Sequence, residues 1–102
     1  MAISAEEKNG VFIYKVDGNI DISNSPDVKK YFDNAITDKH KEVIINLESA
    51  DYVDSSGLAT LVEILKNVRA HQGKLKLVGL SDKVKGLFEI TKLDKLFNIS
   101  TE

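Results

Sequence analysis

The sequence predicts an α/β fold: a small mixed β-sheet that carries its helices mainly on one face. Asn9-Gly10 precedes VFIYKV, a run rich in β-branched and aromatic residues, and predicts an antiparallel hairpin because both residues tolerate positive φ. Helical patterns then alternate with apolar strands, which predicts βαβ crossovers. Right-handed crossovers between neighbouring strands place their helices on the same face. The stretch KLKLVGL, residues 74–80, alternates lysine with leucine, so this strand should have one buried and one solvated face.

The first half of the chain supplies three strands and a helix. Residues 3–8 predict a short edge strand, and residues 11–16 predict a second strand that Gly18 ends. Pro26 suits the first turn of a helix, which the apolar spacing continues to about Thr37. The almost wholly apolar run EVIINL, residues 42–47, predicts a strand in the interior of the sheet.

The second half supplies the remaining elements. A stripe of apolar residues predicts one face of a helix over residues 56–71, and Gly73 is expected to end it. The residues of that stripe are Leu58, Leu61, Val62, Leu65 and Val68. Ser81 is expected to cap a short third helix. The hydrophobic residues between positions 93 and 99 predict a last helical turn and a final short strand.

Composition excludes several classes of protein. The 102 residues suit one domain, residues 1–102, and the formal net charge of −2 argues against direct nucleic-acid binding. The absence of cysteine excludes disulfides, thiol catalysis and zinc–thiolate sites. No apolar run approaches the roughly 20 residues of a membrane helix, and the N-terminus does not resemble a signal peptide. We therefore expect a cytoplasmic protein without membrane association, metal or cofactor.

Two serines, Ser55 and Ser56, lie between Asp54 and Gly57, where a polar turn leads into the apolar stripe of the second helix. The simplest interpretation is a helix N-cap, because aspartate and serine are both preferred there and glycine adds no bulk in the first turn. From spacing alone this interpretation is favoured over the functional ones.

A catalytic serine would need a base within hydrogen-bond reach. His71 lies at the far end of the same helix, roughly 24 Å away at 1.5 Å per residue. His40 precedes the third strand and should lie at the opposite end of the sheet, and Lys66 is three turns along the helix. The G-x-S-x-G motif of hydrolases is also absent. We therefore expect no enzymatic activity.

A phosphoacceptor serine fits this position better than a catalytic serine does. A helix N-terminus has unpaired N–H groups and a partial positive charge that tolerate a phosphate. Phosphorylation adds about −1.5 to −2 charges. Asp51 and Asp54 are close in sequence, and Asp21 should lie at the same end of the sheet. The new charge would therefore alter any docking surface built there.

The motif DSSGL, following VIINL and a short acidic turn, together with GNID after the second strand, resembles the STAS domain of bacterial anti-sigma factor antagonists. The resemblance covers nearly the whole chain. It implies a phosphoprotein that regulates transcription by partner switching. The unphosphorylated form binds an anti-sigma factor, which is also a GHKL-type serine kinase, and releases the sigma factor. Phosphorylation weakens that complex, and a PP2C-type phosphatase removes the phosphoryl group again.

The resemblance also assigns residues. It places the phosphoacceptor at Ser55, Asp21 beside it and Ser56 as a neighbouring polar contact, with Asp54 and Gly57 completing the partner-binding motif. Without it, Asp21 is equally well explained as a turn residue or cap, and Asp54 as a charge favourable to the helix dipole. Asn46, in the third strand, is expected to bond a neighbouring turn.

Two other functions stay open at this point. STAS domains serve several systems, so the chain could be an adaptor that is never phosphorylated, binding a transporter ATPase or a signalling scaffold. A small enzyme is the third class. The intact DSSG motif favours the phospho-switched antagonist, since an adaptor has no need of an acceptor hydroxyl there.

Overall fold

The computed structural model describes residues 2–36 and 40–100. Within them, one five-stranded sheet has the order β1-β2-β3-β4-β5. The strands are β1 (Ala2–Lys8), β2 (Val11–Asp17), β3 (Glu42–Ser49), β4 (Lys74–Val78) and β5 (Asn98–Ile99). The helices are α1 (Ser25–Ala35), α2 (Ser55–Ala70) and α3 (Asp82–Ile90), followed by a short 3₁₀ turn, Leu93–Lys95. The first pair of strands is antiparallel and the other pairs are parallel, which confirms the predicted fold class.

The hairpin forms as the sequence predicts. β1 and β2 pair over seven consecutive residues without a bulge. Asn9 and Gly10 have φ values of 54° and 81°, the left-handed conformation that a two-residue turn between twisted strands requires. β1 is an edge strand and β3 lies in the middle of the sheet, also as predicted.

The core lies between one face of the sheet and the helices. Val43, Ile45 and Leu47 alternate with less buried residues along β3, and Leu75 and Leu77 do the same along β4. This alternation places the helices against a single face, since strand side chains point alternately to opposite sides. The other face, called the open face here, has none of the described helices packed on it.

The buried stripe of α2 differs at two positions from the predicted one. Leu58, Leu61, Leu65 and Val68 are buried, but Val62 is only half-buried. Ile64, which the spacing left out, is 1% exposed. The helix packs against both the sheet and α1, so its buried surface is wider than a single narrow stripe.

The ends of two helices also differ from expectation. The predicted end of the first helix, about Thr37, lies outside the described residues; α1 ends at Ala35 and Ile36 is extended. After α2, the left-handed residue is Gln72, with φ 66°, and not Gly73. Gly73 is required for space, because a Cβ there would lie 2.8 Å from Val68 Cγ1 and 3.0 Å from the His40 carbonyl oxygen.

The carboxyl ends of β2 and β3 position the loops that follow them. Because the two strands are parallel neighbours, residues 18–24 and 50–54 emerge at the same edge of the sheet. An isolated parallel bridge between Ile20 and Val53 extends the pairing into these loops. Within the described ranges, every helix is too short or too polar to cross a bilayer.

Candidate functional site

The site begins with two loops that are joined by backbone hydrogen bonds. Ile20 N–H donates to the Tyr52 carbonyl at 3.1 Å, and Asp54 N–H donates to the Ile20 carbonyl at 3.1 Å. The Asn19 side-chain oxygen accepts from the N–H groups of Asp51 and Tyr52 at 2.8 and 3.0 Å. The loop after β2 is therefore fixed against the turn that leads into α2.

Asp54 is the N-cap of α2. One oxygen of its carboxylate accepts from Gly57 N–H at 2.9 Å, and the other accepts from Ile22 N–H at 3.0 Å. The first bond satisfies a free donor of the helix, and the second ties the helix to a loop 32 residues earlier. Asp54 therefore does more than supply a favourable charge to the helix dipole, the role that sequence alone suggested.

Gly57 is required by the close approach of the same loop. A Cβ at this position would lie 2.6 Å from the Ile20 carbonyl oxygen, 2.7 Å from Val53 Cγ1 and 3.0 Å from Ile20 Cγ2. Contacts below 3.0 Å force a displacement, and one of these atoms is backbone that pairs with Asp54 N–H. The glycine of the DSSGL motif thus keeps the two loops in contact.

Ser55 and Ser56 are the first two residues of α2, so they do not cap it. Ser55 is exposed and Ser56 is half-buried. Across the described ranges, neither the Ser55 hydroxyl nor the N–H groups of Ser55 and Ser56 has a hydrogen-bond acceptor in the protein. The helix thus presents a free hydroxyl next to two unpaired donors.

Asp21 belongs to the turn before α1. Its Oδ1 accepts from the N–H of Ser23 at 2.9 Å and from the Ser23 hydroxyl at 2.5 Å. These hydrogen bonds lower the pKa of Asp21, so the group is a carboxylate at neutral pH. Its carbonyl accepts from Asn24 and Ser25 N–H groups. Asp21 is therefore a turn residue, placed between Ile20 and Ile22, which both contact the start of α2.

Two exposed hydrophobic residues adjoin this site, and neither was predicted from the sequence. Ile22 is 75% exposed, although its backbone is held by Asp54. Tyr52 is 40% exposed, and Lys83 Nζ lies 5.5 Å from the centre of its ring. The sequence signal that could have identified Ile22 is the presence of a large aliphatic residue inside the polar turn DISNSP, residues 21–26. Hydrophobic periodicity does not predict which loop side chains are exposed, because a loop has no repeating face.

The histidines lie at the other end of the molecule, as predicted. His71 Nε2 is 2.7 Å from the His40 carbonyl oxygen, and His40 Nδ1 is 3.2 Å from the Tyr14 hydroxyl. Burial raises the pKa of Tyr14 to about 12, so its hydroxyl stays protonated at neutral pH. Neither imidazole can act on Ser55.

Comparisons with known proteins agree with this fold. The sequence model of the STAS domain matches residues 2–102. The anti-sigma-B factor antagonist of Staphylococcus aureus is 33% identical over 86 residues, which cover 84% of this chain and 80% of that protein. The protein of the same name from Listeria monocytogenes is 37% identical over 84 residues, covering 82% and 74%.

Solved structures show the same architecture. An anti-sigma factor antagonist from Mycobacterium paratuberculosis superposes with a TM-score of 0.88 at 22% identity, over 99% of this chain and 86% of that one. The phosphorylated form of SpoIIAA from Bacillus gives 0.72 at 20% identity, over 99% and 93%. A sulfate transporter family protein from Wolinella succinogenes gives 0.78 at 22% identity, over 89% and 74%. With the sequence match over residues 2–102 and relatives above 30% identity, the chain belongs to the STAS domain family.

Proposed function

We propose that this protein is an anti-sigma factor antagonist that is controlled by phosphorylation of Ser55. In its unphosphorylated form it binds an anti-sigma factor, a serine kinase of the GHKL type, and thereby releases the sigma factor. Transfer of a phosphoryl group to Ser55 weakens that complex, and a PP2C-type phosphatase restores it. The curated relatives that carry this functional name support the proposal.

The observation that carries the proposal is the environment of Ser55. Its hydroxyl is exposed and makes no hydrogen bond to the described residues, so another protein's active site can reach it. Ser56 is half-buried, which favours Ser55 as the acceptor. The free N–H groups of the first helical turn are suitable donors to a phosphate. A structure of phosphorylated SpoIIAA exists in the same fold, though at 20% identity it supports the fold alone.

The switch we propose is local. Asp54 holds the helix cap and the loop through bonds from Gly57 and Ile22, and neither bond uses the Ser55 side chain. Val53 and Leu58 on either side are buried in the core, so the turn is anchored. A phosphate should therefore change the surface charge without unfolding α2.

The loss of binding comes from charge placed within the interface. A doubly charged phosphate would lie near the carboxylates of Asp54 and Asp21 on the surface that docks the kinase. An uncompensated charge in such a place costs on the order of 2–5 kcal/mol, or roughly 30- to 5,000-fold in affinity. Ile22 and Tyr52 are the exposed side chains beside the serine, and we propose that they supply apolar contacts to the partner.

The protein itself performs no chemistry in this proposal. The kinase supplies ATP and the catalytic groups, and Ser55 is the substrate. Turnover of nucleotides or esters by the isolated protein, abolished by Ser55→Ala, would contradict this part of the proposal.

The test uses the kinase that the same organism encodes, with ATP, and maps the modified residue by mass spectrometry. Wild type should acquire one phosphate at Ser55. Ser55→Ala should acquire none but still bind, whereas the matched variant Ser56→Ala should remain a substrate. Ser55→Asp should weaken binding only partly, because one carboxylate carries about half the charge of a phosphate. Phosphate on Ser56 in the wild type, or equal affinities of the phosphorylated and unmodified forms, would refute the proposal.

A second function, an adaptor for a transporter ATPase or a signalling scaffold that is never phosphorylated, is favoured by one finding. The fold is shared with a sulfate transporter family protein, at 22% identity. The same experiment separates the two proposals, since an adaptor takes up no phosphate and Ser55→Asp leaves its partner affinity unchanged.

A further inference from the structure

The open face of the sheet, opposite the helices, carries an ordered row of four side chains. The strand register aligns Glu6 with Ile13, Ile13 with Ile44, and Ile44 with Lys76. The row crosses β1 to β4 at right angles to the strands, with an acid at one end, two isoleucines in the middle and a base at the other end. Tyr14, on the opposite side of β2, is buried, which confirms that Ile13 faces away from the core.

The charges at the two ends of this row are unpaired within residues 2–36 and 40–100. The face also carries an ion pair of its own, Lys15 Nζ to Glu48 Oε1 at 3.0 Å. By contrast, neither Glu6 nor Lys76 has an oppositely charged partner within 4.0 Å among those residues. The row is therefore polarised, and its ends are free to meet charges from another molecule.

Two shallow grooves of the same face contain the two ends of this row. One, of about 290 Å³, is lined by Glu6 and Ile13, with Lys15 and Asn46 at its side. The other, of about 190 Å³, lies on the β3–β4 side. It is lined by Val11, Glu42, Ile44, Lys74, Lys76 and Asn98. Glu6 thus lies in one groove, beside Lys15, and Lys76 lies in the other, beside Glu42 and Lys74.

We propose that this face binds the same face of a second copy of the chain, about a two-fold axis that runs parallel to the strands between β2 and β3. That operation places β1 of one copy over β4 of the other. Glu6 then meets Lys76 of the second copy at both ends of the row, and Ile13 meets Ile44 at the centre. The interface is isologous, as in other two-fold dimers.

Within this row, the charges favour this axis over a two-fold axis that runs along the row. A two-fold axis perpendicular to the strands would place Glu6 over Glu6 and Lys76 over Lys76, two repulsive contacts. Packed sheets cross at about 30°, which displaces the ends of the row by only a few ångströms. Glutamate and lysine side chains are long enough to span that displacement.

The dimer should be weak and sensitive to salt. Four strands about 4.8 Å apart give a face only roughly 20 Å wide. The area that two such faces bury should therefore be smaller than that of a standard stable interface. The row nearest the hairpin turn brings Lys8 over Lys74 of the other copy, which opposes binding. Ser55 lies at the start of α2, on the helical side, so dimerisation leaves the proposed switch accessible.

Sedimentation equilibrium of the full chain, at protein concentrations up to about 1 mM and at low and high salt, tests the inference. Wild type should dimerise reversibly, and Glu6→Lys and Lys76→Glu should each weaken dimerisation tenfold or more. An equimolar mixture of these two variants should form a heterodimer, and the double variant should dimerise as wild type does, because both restore opposite charges at each end. Both side chains project from the open face, and circular dichroism verifies folding.

The matched control is Lys92→Glu, the same charge change outside the sheet, which should leave dimerisation unaltered. A wild type that stays monomeric at the highest concentration overturns the inference. So do single variants that dimerise like wild type, or a mixture that fails to recover. None of these outcomes depends on phosphorylation of Ser55, which is measured separately.

Discussion

Replacing Gly57 by alanine tests how closely the loop after β2 must approach α2. The new Cβ would lie 2.6 Å from the Ile20 carbonyl oxygen and 2.7 Å from Val53 Cγ1. The carbonyl cannot move freely, because it accepts from Asp54 N–H, and the Ile20 N–H is bonded to Tyr52. The substitution should therefore separate the loop from the helix or strain the bonds that join them.

The magnitude follows from two opposing effects. Alanine is better than glycine in a helix by at most about 1 kcal/mol, and less in the first turn. Overpacking a close-packed site costs about 1–3 kcal/mol, and here the obstructing atom is backbone, which favours the upper part of that range. We expect Gly57→Ala to lower the free energy of unfolding by about 1–2 kcal/mol.

Urea denaturation followed by far-UV circular dichroism measures this free energy. With a slope of about 1–2 kcal/mol/M, the midpoint should fall by roughly 0.5–2 M. Gly86→Ala is the matched control, because it lies within α3 and its new Cβ would have no neighbour within 4 Å. That variant should be stabilised by about 0.5–1 kcal/mol. A Gly57→Ala protein as stable as wild type would refute the steric argument, as would a destabilised Gly86→Ala.

Three further predictions concern the cap, the buried histidine and the exposed hydrophobic residues. Asp54→Ala should cost about 1–2 kcal/mol in urea denaturation, since it removes the acceptor for two N–H groups, while Asp54→Asn should cost less. Burial, with a smaller contribution from a neighbouring histidine, lowers the pKa of His40 below its ordinary value of 6.5. The stability that His40 contributes should therefore be complete above about pH 6.5 and decline as pH falls toward the lowered pKa. In thermal melts, the melting temperature of His40→Phe should fall less between about pH 7.5 and 5.5 than that of wild type. Equal falls in the two proteins would contradict this. Ile22→Ala and Tyr52→Ala should each weaken binding of the anti-sigma partner tenfold or more in calorimetric titrations with little change in melting temperature, whereas Ile90→Ala, which removes an 81% exposed side chain elsewhere, should leave binding unchanged.

Local physics was sufficient for most of the fold. Asn9-Gly10 determines a hairpin turn because few other residue pairs adopt two consecutive positive φ values. The period of two in KLKLV and the helical spacing from Leu58 to Val68 each specify an element and its buried side. These signals lie within a few residues of each other, so a single sequence contains them. The resemblance carried by DSSGL and GNID then led to the family that the comparisons confirm.

Tertiary contacts decided what the residue types alone left open. Aspartate and serine are nearly equal as caps, so the choice of Asp54 over Ser55 or Ser56 depends on the extra bond to Ile22 N–H, 32 residues away. The exposure of Ile22 likewise follows from how its loop is fastened to α2, and no local pattern encodes it. Sequence specifies the elements because hydrogen bonding and periodicity are local. It leaves the site less determined, because the loops that build it meet only once the parallel strands have paired.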